Sequence, residues 1–194
     1  EFNKGVNRGP DKSMLLQNKK INIGFHRLEI NGLDDSGMQP FNKQGVYLIC
    51  NGEIYNYKYL YSLLGVTQET TSDCEIIIDM YLKLGIEFTI KNLDGVFAFA
   101  IVDTVKDLIY VWRDPIGVRP LFYFQNDEVL GLASELKMIH HFNDNIEQFP
   151  PGHIGKLSNS EFTLTCYYNI NNISCPILLD INNFTKKNTI IPYD

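Results

Sequence analysis

Residues 94–103, Asp-Gly-Val-Phe-Ala-Phe-Ala-Ile-Val-Asp, constrain the fold more than any other stretch. The run has strand length, and side chains of a strand alternate between faces. Val96, Ala98, Ala100 and Val102 then line one face, and Phe97, Phe99 and Ile101 the other. Both faces are apolar, so both need covering. Residues 104–107 read as a turn and 108–112 as an antiparallel return strand. A sheet held between two layers is the expectation.

The second informative stretch is residues 45–56, an apolar run that meets Asn51-Gly52 and then the carboxylate of Glu53. Asn-Gly is a strong turn signal, so a turn is expected there, although it also suits an ordinary two-residue hairpin. Residues 57–64 read as a helix closed by Gly65. Ser72 and Glu75 stand at capping-box spacing and predict a second helix, with Asp73 in its first turn. Ile76, Ile77, Met80, Tyr81 and Leu84 form its apolar face, and Gly85 ends it. Elsewhere, strands are expected at 21–25 (running on through Ile30), 121–124 and 129–132, and a short helix at 135–141. A loop at 31–37, a rigid turn at Phe149-Pro150-Pro151-Gly152-His153 and a hairpin of 154–157 with 162–167 complete the pattern. Residues 169–194 turn rich in Asn and Ile and read as a linker or covering extension. Together these predict an α+β fold of two antiparallel sheets covered by helices.

At 194 residues and 44% apolar, the chain can bury one sizeable core. A net charge of −6 excludes a sequence-independent nucleic-acid binder, which needs a basic surface to displace phosphate counterions. No apolar run approaches the roughly 18 residues of a membrane span, and Glu1-Phe2-Asn3-Lys4 has no signal-peptide pattern. A soluble, intracellular chain is expected. Cys50, Cys74, Cys166 and Cys175 lack metal-ligand spacing and read as reduced thiols. His26, His140, His141 and His153 lack it too, so no metal site is expected.

A series of short motifs carries a resemblance. In chain order they are Arg8-Gly9-Pro10-Asp11, Arg27-Leu28 with Ile30, Gln39-Pro40, Asn51-Gly52-Glu53-Ile54-Tyr55-Asn56, and Ser72-Asp73-Cys74-Glu75. Leu93-Asp94-Gly95 with Phe97-Ala98-Phe99-Ala100, Arg113-Asp114 with Gly117 and Pro120-Leu121, Ala133-Ser134-Glu135-Leu136-Lys137 and Phe149-Pro150-Pro151-Gly152 follow. From residue 8 to about 168 the chain resembles the class II glutamine amidotransferase domain of glutamine-hydrolysing asparagine synthetases. The resemblance implies a layered α/β/β/α sandwich of the N-terminal-nucleophile hydrolase type over residues 1–168. In that family an N-terminal cysteine attacks the side-chain amide of L-glutamine, its own α-amine moves protons, and ammonia leaves. By resemblance, the Asn51 side-chain amide and the Gly52 backbone N–H stabilise the oxyanion. Arg27 would hold the α-carboxylate of glutamine, and Glu53 and Asp73 its α-ammonium. Without the resemblance, Arg27 reads as a surface ion pair and Asp73 as an acid answering a helix dipole.

Other matches read as scaffold: Arg113-Asp114-Pro115-Ile116-Gly117 and Arg8-Gly9-Pro10-Asp11 are expected to be turns held by internal ion pairs. Asn7 and Phe25 stand where the family commonly has histidine. The family's nucleophile would lie upstream of Glu1, since Cys50 has no α-amine to serve as its base, and the chain by itself is expected to be inactive. Beyond Asp194 the resemblance implies a synthetase domain of the same polypeptide, where ATP and Mg would serve the amidation of aspartate by the released ammonia. No cofactor is expected in the present domain, and neither nucleic acid nor membrane is an expected partner. Cytoplasmic location is expected, and homodimerisation stays open. Another class II amidotransferase, or a non-catalytic descendant that lost its cysteine, are the alternatives.

Overall fold

The computed structural model describes residues 1–17, 20–30 and 34–169, so all of the expected extension except Asn169 lies outside the described residues, with Cys175. Among the described residues the strands are β1 (Lys12–Gln17), β2 (Asn22–Arg27), β3 (Phe41–Lys43), β4 (Val46–Ile54), β5 (Gly95–Asp103) and β6 (Leu108–Arg113). They continue as β7 (Phe122–Gln125), β8 (Leu130–Ala133), β9 (Glu147–Gln148), β10 (His153–Ser158) and β11 (Glu161–Cys166). The helices are α1 (Tyr57–Leu64) and α2 (Ile76–Asn92). A six-stranded sheet runs β11-β10-β6-β5-β4-β3, a three-stranded sheet β8-β7-β9, and β1 pairs with β2 alone. Every pairing is antiparallel.

The large sheet is covered on both faces, as the doubly apolar β5 requires. On one side Phe97, Phe99 and Ile101 join Leu48, Ile54 and Trp112 under Leu60, Ile77, Met80 and Tyr81 of the helices. On the other, Ala98 and Val111 meet Leu121 and Phe149 at the smaller sheet. Each large apolar side chain taken fully from water contributes about 1.5–3 kcal/mol, so these two clusters hold the layers together. The result is an α+β sandwich. No helix among the described residues is long and apolar enough to cross a membrane.

Several local expectations need correction. Asn51-Gly52 makes no turn: β4 runs straight through it, with Asn51 opposite Ala98 and Gly52 opposite Phe97. The long partner strand β5 overrides the local turn preference, and the chain turns only at Tyr55-Asn56, where Asn56 Nδ2 donates to Asn92 O and Asn56 Oδ1 accepts from Asp94 N–H. Strand β1 and its two-stranded sheet were not expected. Residues 135–141 form only a 3-10 turn at Leu136–Met138, with no side-chain cap at Glu135. A segment so short cannot repay helix nucleation without capping or packing. Among the described residues, that turn packs on the small sheet through Phe124, Ala133 and Ile139.

Helix α1 ends as expected, with Gly65 in the left-handed conformation at φ 60°. The capping box does not form. The Ser72 hydroxyl accepts from Cys74 N–H at 3.3 Å, and Glu75 turns inward instead of back to Ser72. Asp73 lies in a 3-10 turn, Asp73–Glu75, that leads into α2. Gly85 does interrupt the helix, with φ 76° and ψ 174°, but a second helical stretch resumes and runs to Asn92.

Candidate functional site

The site-bearing strand is β4, whose partner on one side is β5 along its whole length while β3 reaches only Val46, Tyr47 and Leu48 on the other. Beyond Leu48 one edge of β4 has no strand neighbour among the described residues, and its amides must be satisfied otherwise. Cys50 N–H donates to Gln39 Oε1 at 2.6 Å, and Gln39 Nε2 donates to Cys50 O at 3.1 Å. The buried Gln39 side chain thus stands in for one residue of a strand. Four residues on, Ile54 N–H donates to Asp73 Oδ2 at 2.6 Å. Strand amides alternate in direction, and Tyr55 N–H points the other way, to Asp94 O at 2.8 Å. Gly52 N–H therefore faces the same open edge as those of Cys50 and Ile54, between the two side-chain caps.

Asn51 presents its side chain to the opposite face from Cys50 and Ile54. Its Nδ2 is buried and has no hydrogen-bond partner among the described residues. An unsatisfied buried amide costs on the order of 1–3 kcal/mol, so such a group calls for a role. Glycine at 52 is dictated by the neighbouring strand: a Cβ there would stand 2.5 Å from Val96 O and 2.7 Å from Phe97 Cβ. Glu53 shares the Asn51 face and is exposed.

Arg27 and Asp73 come from distant segments, and a polar network joins Arg27 to Thr71, two residues before Asp73. Arg27 is 3% exposed, which overturns the reading as a surface ion pair. Its Nη1 donates to Asp34 O at 2.6 Å and lies 3.4 Å from Glu29 Oε1. Asp34 Oδ1 accepts from Thr71 Oγ1 at 2.8 Å, and Thr71 N–H donates to Ser36 Oγ at 3.0 Å. Hydrogen bonds from Ser36 and Thr71 hold the Asp34 carboxyl below the usual carboxylate range. A Cβ on Gly37 would stand 2.7 Å from Arg27 Nη2 and 3.8 Å from Ser72 Cβ, so the guanidinium borders the loop that carries Asp73. Asp73 is 8% exposed and bonded to Ile54 N–H through one oxygen, a tertiary contact rather than a simple answer to a helix dipole.

Gln39, Asp34, Ser36 and Thr71 were not singled out as site residues. The Asp34-x-Ser36 spacing is that of a local Asx-type turn, which was a readable signal for the loop but not for its partner at Thr71. Beneath β4, the Cys50 thiol bonded to Cys74 pushes the latter's pKa well up, and burial adds to this. Cys50 is 3% exposed and on the face away from Asn51, which fits a structural thiol.

The two scaffold turns stand, but by different bonds. Arg113 donates to the carbonyls of Phe149, Arg119 and Gly117. Asp114 Oδ1 accepts from the N–H groups of Ile116, Gly117 and Val118, and Oδ2 from those of Phe97 and Arg119. Each side chain thus holds backbone, and no Arg113–Asp114 ion pair occurs among the described residues. Arg8 likewise reaches Glu135 at 3.8 Å, while Asp11 accepts from Glu29 N–H at 2.8 Å.

Known proteins share this arrangement of segments. The model of the glutamine amidotransferase domain family matches residues 2–146. The chain is 41% identical over 152 residues to a probable glutamine-hydrolysing asparagine synthetase of Acanthamoeba polyphaga mimivirus, covering 75% of this chain and 28% of that protein. It is 35% identical to the glutamine-hydrolysing asparagine synthetase 2 of Bacillus subtilis (strain 168), covering 96% of this chain and 26% of that protein. It therefore spans only about a quarter of the length of these relatives. Among solved structures, the glutamine phosphoribosylpyrophosphate amidotransferase of B. subtilis superposes with a TM-score of 0.61 at 21% identity, over 74% of this chain and 34% of that one, a likeness of fold. On the family match across residues 2–146, the chain belongs to the glutamine amidotransferase domain family.

Proposed function

We propose that the chain is the glutaminase part of a longer, glutamine-hydrolysing asparagine synthetase. The observation that carries this reading is the buried, unpartnered Asn51 Nδ2 beside Gly52, whose N–H faces an edge left open between two side-chain caps. Two fixed donors on neighbouring residues suit an oxyanion that forms as a nucleophile adds to an amide carbon. The nucleophile in this reading is an N-terminal cysteine thiolate of the longer polypeptide. Its sulfur bonds to the glutamine Cδ, the carbonyl electron pair moves to oxygen, and Asn51 and Gly52 stabilise the charge. Collapse breaks the C–N bond and expels ammonia with a proton delivered by the cysteine's α-amine. Water then cleaves the thioester to give glutamate.

The substrate's amino-acid end fits the remaining residues. Arg27, held by Asp34 O, offers a planar fork to an α-carboxylate. Asp73 keeps Oδ1 for an ammonium while Oδ2 holds Ile54 N–H, and the exposed Glu53 supplies a second carboxylate. The relatives are named glutamine-hydrolysing asparagine synthetases, which favours aspartate as the acceptor of the ammonia; an ATP- and Mg-dependent step on another domain is part of the same proposal.

Two measurements test the reading. The full-length gene product is expected to release ammonia from L-glutamine and to form asparagine with aspartate and ATP. Glutaminase activity with a different acceptor would move the chain to another class II amidotransferase. Independently, L-glutamine at about 100 times its Kd should stabilise the chain by roughly 2.7 kcal/mol in a thermal melt. D-Glutamine should shift it far less, because the inverted α-carbon cannot satisfy Arg27 and the carboxylates together. No shift with either enantiomer, and no ammonia from the full-length protein, would leave a non-catalytic module.

A further inference from the structure

The three side chains Glu1, His140 and His141 meet on the surface, although no sequence spacing joins them. Glu1 is the N-cap of the 3-10 helix Phe2–Arg8, and the two histidines follow the 3-10 turn Leu136–Met138. The two segments are packed closely, since a Cβ on Gly5 would stand 2.7 Å from Met138 Cε. One ligand atom from each of the three side chains lies within 4.8 Å of the others. His141 Nε2 is 3.7 Å from Glu1 Oε1, and the His140 and His141 rings are 3.8 Å apart.

The protonation pattern suits ligation. His140 Nδ1 is 3.0 Å from Lys137 O. A carbonyl only accepts, so Nδ1 carries the proton and Nε2 keeps a free lone pair, the second-sphere arrangement that prepares a histidine for a metal. Zinc bonds to imidazole nitrogen and carboxylate oxygen are about 2.0–2.2 Å long, which places ligand atoms about 3.3 Å apart. All three side chains are exposed and can close that distance by rotation.

We propose that Glu1, His140 and His141 form a binding site for a divalent transition metal of the zinc class, with solvent in the fourth position. Two imidazoles and one carboxylate select zinc-like ions over magnesium or calcium, which prefer all-oxygen sets. The ion ties the first 3-10 helix to the segment that covers the small sheet. Lys4, with Nζ 2.8 Å from Glu1 Oε2, is the competing cation.

Calorimetric titration with Zn2+ tests this in a Cys166→Ser/Cys175→Ser background, which removes competing thiols. One zinc per chain is expected, weakened about tenfold or more by His140→Ala or by His141→Ala, and weakened by Glu1→Gln. Lys4→Ala should tighten it. With Cu2+ as the probe, electron paramagnetic resonance should show nitrogen hyperfine structure that the double variant His140→Ala/His141→Ala loses. Equal zinc affinity in that double variant, or no binding by the parent at millimolar zinc, overturns the site. Glutamine hydrolysis plays no part in either readout, so the outcome is independent of the glutaminase reading.

Discussion

Asn51 and Asp73 both border the open edge of β4, yet their surroundings ask different things of them. Asn51 Nδ2 has no partner among the described residues, and in the proposed glutaminase its strongest bond forms only when charge develops on the bound substrate. Asn51→Ala in the full-length protein is expected to lower kcat on the order of 100-fold with little change in KM. Asp73 already spends one oxygen on Ile54 N–H, so Asp73→Ala would disturb the strand as well as the ligand. Asp73→Asn keeps an acceptor for that amide and removes the charge. It is expected to raise the glutamine KM far more than it lowers kcat, as loss of binding common to ground and transition states does. Steady-state kinetics separate the two, and equal effects on kcat would refute the division of roles.

Among the elements, α2 shows how a conformational need outweighs propensity. Alanine normally stabilises a helix interior by about 1 kcal/mol over glycine. Gly85, however, sits at φ 76° and ψ 174°, a region essentially closed to residues with a Cβ. No atom lies within 4 Å of a Cβ placed there, so backbone strain alone decides the outcome. Gly85→Ala should destabilise by about 1–3 kcal/mol in urea unfolding; a stabilised variant would mean that the helix straightens through the kink.

The start of α2 is tied to β3 by charge. Lys43 Nζ lies 2.9 Å from both Glu75 Oε1 and Asp79 Oδ1, and Glu75 Oε2 also accepts from Thr70 N–H at 2.8 Å and Tyr61 Oη at 3.2 Å. Burial lowers the Lys43 pKa, but bonds to Asp79 and Glu75 raise it further, for a net rise. Burial raises Glu75, yet Lys43 and Thr70 bring it below its ordinary value, whereas burial keeps Asp79 above its own. Glu75 thus contributes stability above the ordinary glutamate pKa that is lost as pH falls through its lower folded value, and Asp79 offsets part of it. Lys43→Met should cost about 3 kcal/mol near pH 7, because two largely buried carboxylates lose their counter-ion. The difference from wild type should shrink in acid, below the ordinary carboxylate range of about pH 4, as Glu75 protonates at its lower folded value. Urea midpoints at the two pH values check this, and an undiminished difference at acid pH would refute the ion-pair account.

For the whole molecule, the sandwich rests on one strand that is apolar on both faces. Ala98 is 5% exposed, lies between Asn51 and Arg113 in register, and packs toward the small sheet. Added methylenes have nowhere to go without parting the layers. Ala98→Leu is expected to lower stability by about 1–3 kcal/mol, read as a lower denaturant midpoint at unchanged slope. A wild-type midpoint would mean that the second layer is loosely held.

Alternation along residues 94–103 determined that a sheet would lie between two layers, because both of its faces are apolar whatever the neighbours are. Gly65 and the turn at residues 104–107 were equally legible, being set by local backbone chemistry. The motif at Asn51-Gly52 marked the strand that matters, but its local signal pointed to a turn. Only pairing with β5 decides that it stays extended, since nine residues of ladder outweigh a two-residue preference. Likewise Ser72 and Glu75 carried a capping-box pattern, and the half-buried Lys43 drew Glu75 away from it. Arg27 looked like a surface charge until the loop at Asp34 and Ser36 enclosed it, and Gln39 was only half of a Gln39-Pro40 motif until its amide replaced a strand. Local spacing could determine the elements, because their signals lie within a few residues. The open edge of β4, the network from Arg27 to Thr71, the bond of Asp73 to β4 and the meeting of Glu1 with His140 and His141 are contacts between distant segments, and only the tertiary structure decides those.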